Sequence, residues 1–281
     1  MLQMSQPSYL IVGSGVFGAS TALCLIRKYP DANITLIDRE AYTAPARVAA
    51  SWDWNKVIRA DYRDIFYTKL ALEAQHLWRT DEIWRPFYHE SGVVWISPTS
   101  FAEQAQKNFA ELGVSAGLRT YPVDQARPLF ENLFADADYT GVKEVLVNHN
   151  SGWAEAKEAL QRTIKTAVGL GVKYITAEVA AVIFEETCER HKCCGVKTRN
   201  GDTVSADRVI LCTGAYTPKL LVHSAPEWTD LHAGERIIAA GVTEAIAPFD
   251  FHKSLLRGTM PVGINANPTE LGSNHLYILS R

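Results

Sequence analysis

Apolar positions divide the first forty residues into three elements. Tyr9 to Val12 is an apolar run of strand type. Ala19, Ala22, Leu23 and Ile26 then recur at helical spacing, and Ile34 to Ile37 form a second apolar run that ends in Asp38. Between the first run and the helix stands Gly13-Ser14-Gly15-Val16-Phe17-Gly18. Strand, glycine turn, helix, strand and acid follow one another as a dinucleotide-binding unit requires.

The pattern continues less regularly. Ile65, Leu70, Leu72, Leu77 and Trp78 predict a helix to about Arg79, with Asp64 as N-cap and these residues as its apolar positions. Residues 92–97 read as a strand ended by Pro98, Phe101 to Leu112 as an amphipathic helix and Val123 to Phe130 as a short one. Lys143 to Val147 is strand-like, and Asn150 to Trp153 reads as a turn. A long helix is expected from about Ala154 to Val168, stopped by Gly169 and Gly171. Val172 to Thr176 is the next strand. Ala177 to Phe184 and Cys194 to Thr198 form a meander with a polar tip, and Asn200-Gly201 signals a hairpin turn before Val204 to Asp207. The run from Arg208 to Ala215 reads as an apolar strand ending in a small-residue turn. Ile237 to Ala245 reads as a strand, whereas Asn265 to Arg281 shows little periodicity.

The glycine turn carries chemistry. Gly13 permits the tight turn, Gly15 lets backbone approach a pyrophosphate, and Gly18 lets the helix pack on the strand. Free N–H groups at the helix start and the helix dipole favour a diphosphate. Asp38 follows Gly13 by 25 residues. Its carboxylate can accept from both hydroxyls of an adenosine ribose and would repel a 2′-phosphate, which argues against NADP. The spacing alone does not separate NAD from FAD. A hydride dehydrogenase would continue βαβ units at once; here the chain leaves on a long mixed excursion and returns near residue 150.

Composition bounds the rest. The 281 residues suffice for one large or two ordinary domains, and 47% hydrophobic with 21% charged residues is a globular balance. A net charge of −3 gives no basic field for nucleic acid or anionic membrane. No apolar run approaches the ~18 residues of a membrane span, and no basic region precedes the first apolar run, so no signal or transit peptide is expected. Five cysteines without framework spacing fit a reducing compartment. Cys188, His191, Cys193 and Cys194 lack paired CxxC spacing and read as a polar hairpin tip, so no metal is expected. Cys24 and Cys212 read as small core residues.

Four stretches carry a family resemblance: IVGSGVFGASTALCLIRKYPDANITLIDRE, SWDWNKVIRADYRDIFYTKLALEAQHLWR, NSGWAEAKEALQRTIKTAVGLGVKY and DRVILCTGAYTPKLL. Here the chain resembles the FAD-dependent oxidoreductases of the D-amino acid oxidase superfamily, in particular the fungal branch of sarcosine, pipecolate, saccharopine and fructosyl amino acid oxidases. The resemblance implies an α/β fold. A Rossmann-type FAD-binding domain, with a parallel central sheet and a β-meander, would comprise residues 1–85 and 149–225. A mixed-sheet α+β substrate domain would comprise 86–148 and 226–281.

It also implies roles. Gly13, Gly15, Val16, Phe17, Gly18, Asp38 and Arg39 would serve the ADP half of FAD. Ser51 would lie near the pyrophosphate and ring, Val179 at the adenine edge, and Thr213, Gly214 and Ala215 against the cofactor. Asn55 and Lys56 would run beside the flavin, with Lys56 as a cation for the reduced ring and for oxygen. Arg59 matches an arginine that pairs with the substrate carboxylate, a task suited to a guanidinium fork. The plainer reading of Lys56 and Arg59 is as solvated loop ends, and Trp52 and Trp54 read either as pocket walls or as packing.

The implied activity is oxidation of the C–N bond of a secondary amine or N-substituted amino acid, with O2 as acceptor and H2O2 as product. A small-molecule substrate, no nucleic acid, no membrane and a monomer are the expected associations, in the cytoplasm or the peroxisome. Family members extend well past this chain's length, and residues 257–281 lose their pattern, so the chain is expected to be C-terminally truncated. The alternatives are a flavin-binding fragment without turnover and an NAD-binding protein without flavin.

Overall fold

The computed structural model describes residues 7–114, 117–186, 191–239, 260–267 and 274–278. In chain order its elements are β1 (Tyr9–Val12), α1 (Val16–Lys28), β2 (Ile34–Asp38), β3 (Lys56–Ile58), α2 (Ile65–Thr80), β4 (Tyr88–His89), β5 (Val93–Ile96), α3 (Phe101–Glu111) and β6 (Leu118–Pro122). Two single turns follow, α4 (Val123–Ala126) and α5 (Leu129–Asn132), then β7 (Glu144–Asn148), β8 (Gly152–Ala154), α6 (Ala156–Gly169) and β9 (Lys173–Thr176). The chain continues through β10 (Val179–Glu186), β11 (His191–Thr198), β12 (Thr203–Ser205), β13 (Arg208–Leu211), α7 (Thr217–Ser224), β14 (Val262–Asn267) and β15 (Asn274–Ile278).

Contacts divide the described residues into two units. The first joins the residues up to Asp53 with those between 157 and 245; the second joins Trp54–Ala156 with those from 246 on. The sequence reading assigned β3 and α2 to the cofactor domain; by contacts they fall in the second unit.

In the first unit four parallel strands run in the order β13-β1-β2-β9, with Val12 opposite both Leu211 and Ile37. Leu10, Leu36 and Ile37 are fully buried. They are the apolar run residues that a strand covered on both faces needs. Helix α1 buries Ala19, Ala22, Leu23 and Ile26, the predicted stripe, together with Gly18. The meander β10-β11-β12 is antiparallel, and Val196 packs with Leu10, Val12 and Ile37. Strands β1 and β13 are neighbours, yet the chain leaves β1 towards β2 on the other side. The order therefore reverses at β1, and ligands of open α/β sheets bind at the carboxyl ends of such a switch point.

The second unit holds a five-stranded mixed sheet, β15-β14-β5-β7-β6, and a small antiparallel sheet, β3-β8-β4. Its core includes Trp95, Phe101, Leu146, Trp153, Val262 and Ile264. The parallel sheet with meander and the separate mixed sheet are the α/β architecture that the sequence implies.

Several sequence expectations need correction. Strand β15 and the end of β14 lie in the stretch that showed little periodicity; β14 pairs parallel with β5 and antiparallel with β15. The expected turn at Asn150 to Trp153 contains the start of β8, so the long helix begins later than Ala154. The helix expected over Val123 to Phe130 is broken at Pro128 into two turns, and Phe130 and Glu131 take positive φ. Ile237 to Ala239 form no strand, and the rest of that expected strand lies outside the described residues. Helix α2 starts as predicted, with Asp64 Oδ1 accepting from the Phe66 N–H at 2.8 Å. Its expected apolar face is only partly covered: Ile65, Leu72 and Trp78 are half-buried, Leu70 and Leu77 are exposed, and the fully buried positions are Thr68 and Gln75. Cys188 of the proposed polar tip lies outside the described residues.

Candidate functional site

The first unit contains a cleft of about 1410 Å³, wider than the ~300–1,000 Å³ of most small-molecule sites. Val12, Gly13, Ile37, Asp38 and Cys212 line it, all at the carboxyl ends of β1, β2 and β13. The cleft lies at the switch point because the glycine turn leaves room there. Gly13 has φ +95°, and a Cβ on it would stand 2.5 Å from the Cys212 carbonyl oxygen. A Cβ on Gly18 would stand 1.8 Å from the Gly13 carbonyl oxygen. Gly18 therefore sets how closely α1 approaches β1, and it does so under the cleft, not in its wall.

Helix α1 starts at the cleft with Gly15 as N-cap and no acidic residue in its first turn. Ser51 Oγ accepts from the Val16 N–H at 3.0 Å. A Cβ on Gly15 would meet that same hydroxyl at 3.3 Å, so Gly15 and Ser51 form one surface. Val16 and Phe17 line the cleft and are exposed there, Phe17 by 77%.

Asp38 is held from one side. Its Oδ2 accepts from the Ser14 N–H at 2.7 Å and the Ser14 hydroxyl at 3.1 Å, and lies 3.2 Å from Arg47 Nη2. Oδ1 accepts from the Glu40 N–H at 3.2 Å and keeps a further lone pair, the capacity a ribose hydroxyl needs. Tyr174 reinforces the corner: its hydroxyl lies 3.0 Å from Ser14 Oγ and donates to the Glu40 carbonyl at 2.6 Å. Burial pushes the Tyr174 phenol above its ordinary range, so it stays a donor. Arg39 reaches the Val48 carbonyl at 3.2 Å and lies over the Tyr216 ring. Val48 N–H in turn donates to Glu40 Oε2 at 3.0 Å, which folds the loop after β2 back along the cleft.

Arg47 is the residue that the sequence reading missed. It is 6% exposed, lines the cleft, donates to Ser14 Oγ and lies over the Trp52 ring. Its Nε and Nη1 are buried without a hydrogen-bond partner among the described residues. A lone arginine in a polar loop gives no periodic signal.

The opposite wall comes from the meander and the turn after β13. Val179, Ala180 and Ala181 contribute from β10, and Thr213, Gly214 and Ala215 from the turn. Arg39, Arg47, Lys197, Arg199 and Lys219 line the cleft against the acids Asp38 and Glu178. This excess of cations, the glycine cradle and the orphaned guanidinium donors fit a dinucleotide with its diphosphate. Of the predicted cofactor residues, Gly13, Gly15, Val16, Phe17, Asp38, Arg39, Ser51, Val179, Thr213, Gly214 and Ala215 meet in this one cleft.

Asn55, Lys56 and Arg59 belong to the second unit. Lys56 opens β3 opposite Ala154 and is exposed. Arg59 is half-buried and lines a smaller pocket of about 310 Å³ with Val57, Ile58, Tyr62, Tyr67 and Trp78. Its guanidinium donates to the Asp61 carbonyl and lies 4.1 Å from the Tyr62 ring centre and 4.8 Å from that of Trp95. Such contacts fix a long side chain's direction. Asp61 is fully buried: Oδ2 accepts from Trp95 Nε1 at 2.7 Å, and Oδ1 accepts from Asn148 Nδ2. Asn108 Nδ2 donates to the Tyr62 carbonyl at 2.8 Å and the Arg63 carbonyl at 3.1 Å. The segment that carries Arg59 is thus bolted to α3, β5 and β7. Among the described residues no group of three metal-ligating side chains is present, and no helix is long and apolar enough to cross a membrane.

A family model described as "FAD dependent oxidoreductase" (DAO) matches residues 8–247. The chain is similar to L-saccharopine oxidase of Schizosaccharomyces pombe, at 32% identity over 74% of this chain and 50% of that one. It is similar to the amino acid oxidase imqH of Aspergillus flavus, at 28% identity over 92% and 60%. Among solved structures, fructosamine oxidase (Amadoriase II) of Aspergillus fumigatus aligns with a TM-score of 0.66 and 25% identity over 93% of this chain and 57% of that one. A modified fructosyl peptide oxidase of Aspergillus nidulans aligns with a TM-score of 0.71 over 93% and 60%; at 22% identity it speaks to the fold alone. The chain spans about half the length of the curated relatives it matches, 50% and 60% for these two.

Proposed function

Since the chain belongs to the DAO family of FAD-dependent oxidoreductases, we propose that it oxidises the C–N bond of a secondary amine or N-substituted amino acid, with O2 as acceptor and H2O2 as product. The observation that carries the reading is the first unit's cleft, where glycine turn, Ser51, Asp38 and a cationic wall converge on one dinucleotide-sized space.

In this reading Asp38 Oδ1 takes an adenosine ribose hydroxyl, and Val179 borders the adenine. The α1 N-terminus with Ser51 faces the diphosphate. When bound, FAD would supply the redox chemistry, hydride acceptance from carbon beside a neutral amine nitrogen. The chain's own part is to bind and orient. Arg59 offers a directed guanidinium for a substrate carboxylate, and the apolar and aromatic residues around it exclude water. Lys56 is proposed as a cation that would favour the reduced form of the cofactor. The imine product hydrolyses in water.

The compartment is proposed as cytoplasmic or peroxisomal and the chain as a monomer. A peroxidase-coupled assay of the flavin-loaded protein with N-methyl amino acids, pipecolate, saccharopine and fructosyl amino acids tests the activity. Peroxide with one of these supports it. A yellow protein that yields none with any of them leaves a flavin binder without this turnover.

A further inference from the structure

Arg47 is hard to explain as a structural residue alone. Its side chain is 1% exposed, and one nitrogen, Nη2, serves both Ser14 Oγ and Asp38 Oδ2. The other two nitrogens, Nε and Nη1, have no acceptor. A buried cation with unmet donors is costly unless an oxygen arrives to meet them. Ser14, Asp38 and the Trp52 ring stand beside it, none of them meets Nε or Nη1, and Arg47 lines the cleft. The ligand atoms expected beside Asp38 are those of an adenosine ribose and its phosphate.

We propose that Arg47 is an adenylate-binding residue: it fixes Asp38 through Nη2 and offers an unmet guanidinium donor to an oxygen of the ribose-phosphate. The assignment rests on the dinucleotide reading of this cleft. Arg47 also offsets the charge of Asp38, so the corner accepts a phosphorylated nucleoside despite its carboxylate. A lysine keeps the charge but loses the planar fork that serves Asp38 and a ligand at once.

The test uses the full chain, stripped of flavin, with wild type, Arg47→Lys and Arg47→Met titrated with FAD, ADP and FMN. FMN carries the flavin and one phosphate but no adenylate. Arg47→Lys should weaken both FAD and ADP by ~10–100-fold, Arg47→Met at least as much, and FMN binding should stay at its wild-type level in both. Wild-type affinity for FAD and ADP in Arg47→Lys overturns the inference, as does an equal loss of FMN, which would mark a general structural role. Should Arg47→Met fail to fold by circular dichroism, Arg47→Lys decides alone. If wild type itself binds neither FAD nor ADP, the dinucleotide reading falls instead, so the two failures are distinguishable.

Discussion

Asp61 poses a choice between two opposing effects. Burial pushes its carboxyl above the ordinary carboxylate range, while hydrogen bonds from Asn148 and Trp95 and the nearby Arg59 charge pull it down. Burial wins. The folded chain therefore holds the proton more tightly than the unfolded chain above about pH 3.9. Stability from this group is fully present below that pH and falls as pH rises through the raised folded value, by ~1.4 kcal/mol for each pH unit between the two. Asp61→Asn keeps the shape and cannot ionise, so the wild-type advantage over Asp61→Asn should shrink as pH rises through this window. Asp61→Ala should be worse throughout. It leaves Trp95 Nε1 and Asn148 Nδ2 buried without their acceptor, at roughly 1–3 kcal/mol each and so about 2–6 kcal/mol together. The assay is urea unfolding read by the fluorescence of the seven tryptophans between about pH 4 and 8. A wild-type advantage that grows with pH would refute the reasoning. It would mean that the Arg59 charge outweighs burial and that Asp61 is a stabilising ion.

Other outcomes follow from single contacts. Gly18→Ala puts a Cβ 1.8 Å from the Gly13 carbonyl oxygen. It should cost ~1–3 kcal/mol and lower flavin content, so an unchanged melting temperature and flavin ratio would contradict the close-packing role. Asp64→Ala removes the N-cap acceptor of α2 and should cost ~1 kcal/mol, lowering Tm by about 2–4 °C, with Asp64→Asn recovering most of it. Arg59→Ala should raise KM for carboxylate substrates at least ~10-fold with a smaller change in kcat. Equal KM values for wild type and variant would remove its assigned role.

The cofactor half was legible because its signals are local. β1, the start of α1 and β2 are set by apolar runs, glycines and an acid within thirty residues, and the structure places them as read. The extent of α2 was legible from Asp64, but its buried face was not. Thr68 and Gln75 turn inward because their partners come from distant segments: Asn108 on α3 for Thr68, and Ser151 for Gln75. Strand β14 acquires its identity by pairing beside β5, and β15 by pairing with β14, which no local period records. Arg47 and Asp61 illustrate the same limit at the sites. A charged residue in a loop reads as solvated, and only the folded chain brings Ser14 and Asp38 to the one, and Trp95 and Asn148 to the other.

The most direct measurement is the visible absorption spectrum of the purified 281-residue chain, as isolated and after incubation with FAD and removal of unbound cofactor. The account predicts flavin bands that stay with the protein, near one FAD per chain. A chain that is colourless as isolated and remains so after FAD is added would contradict it.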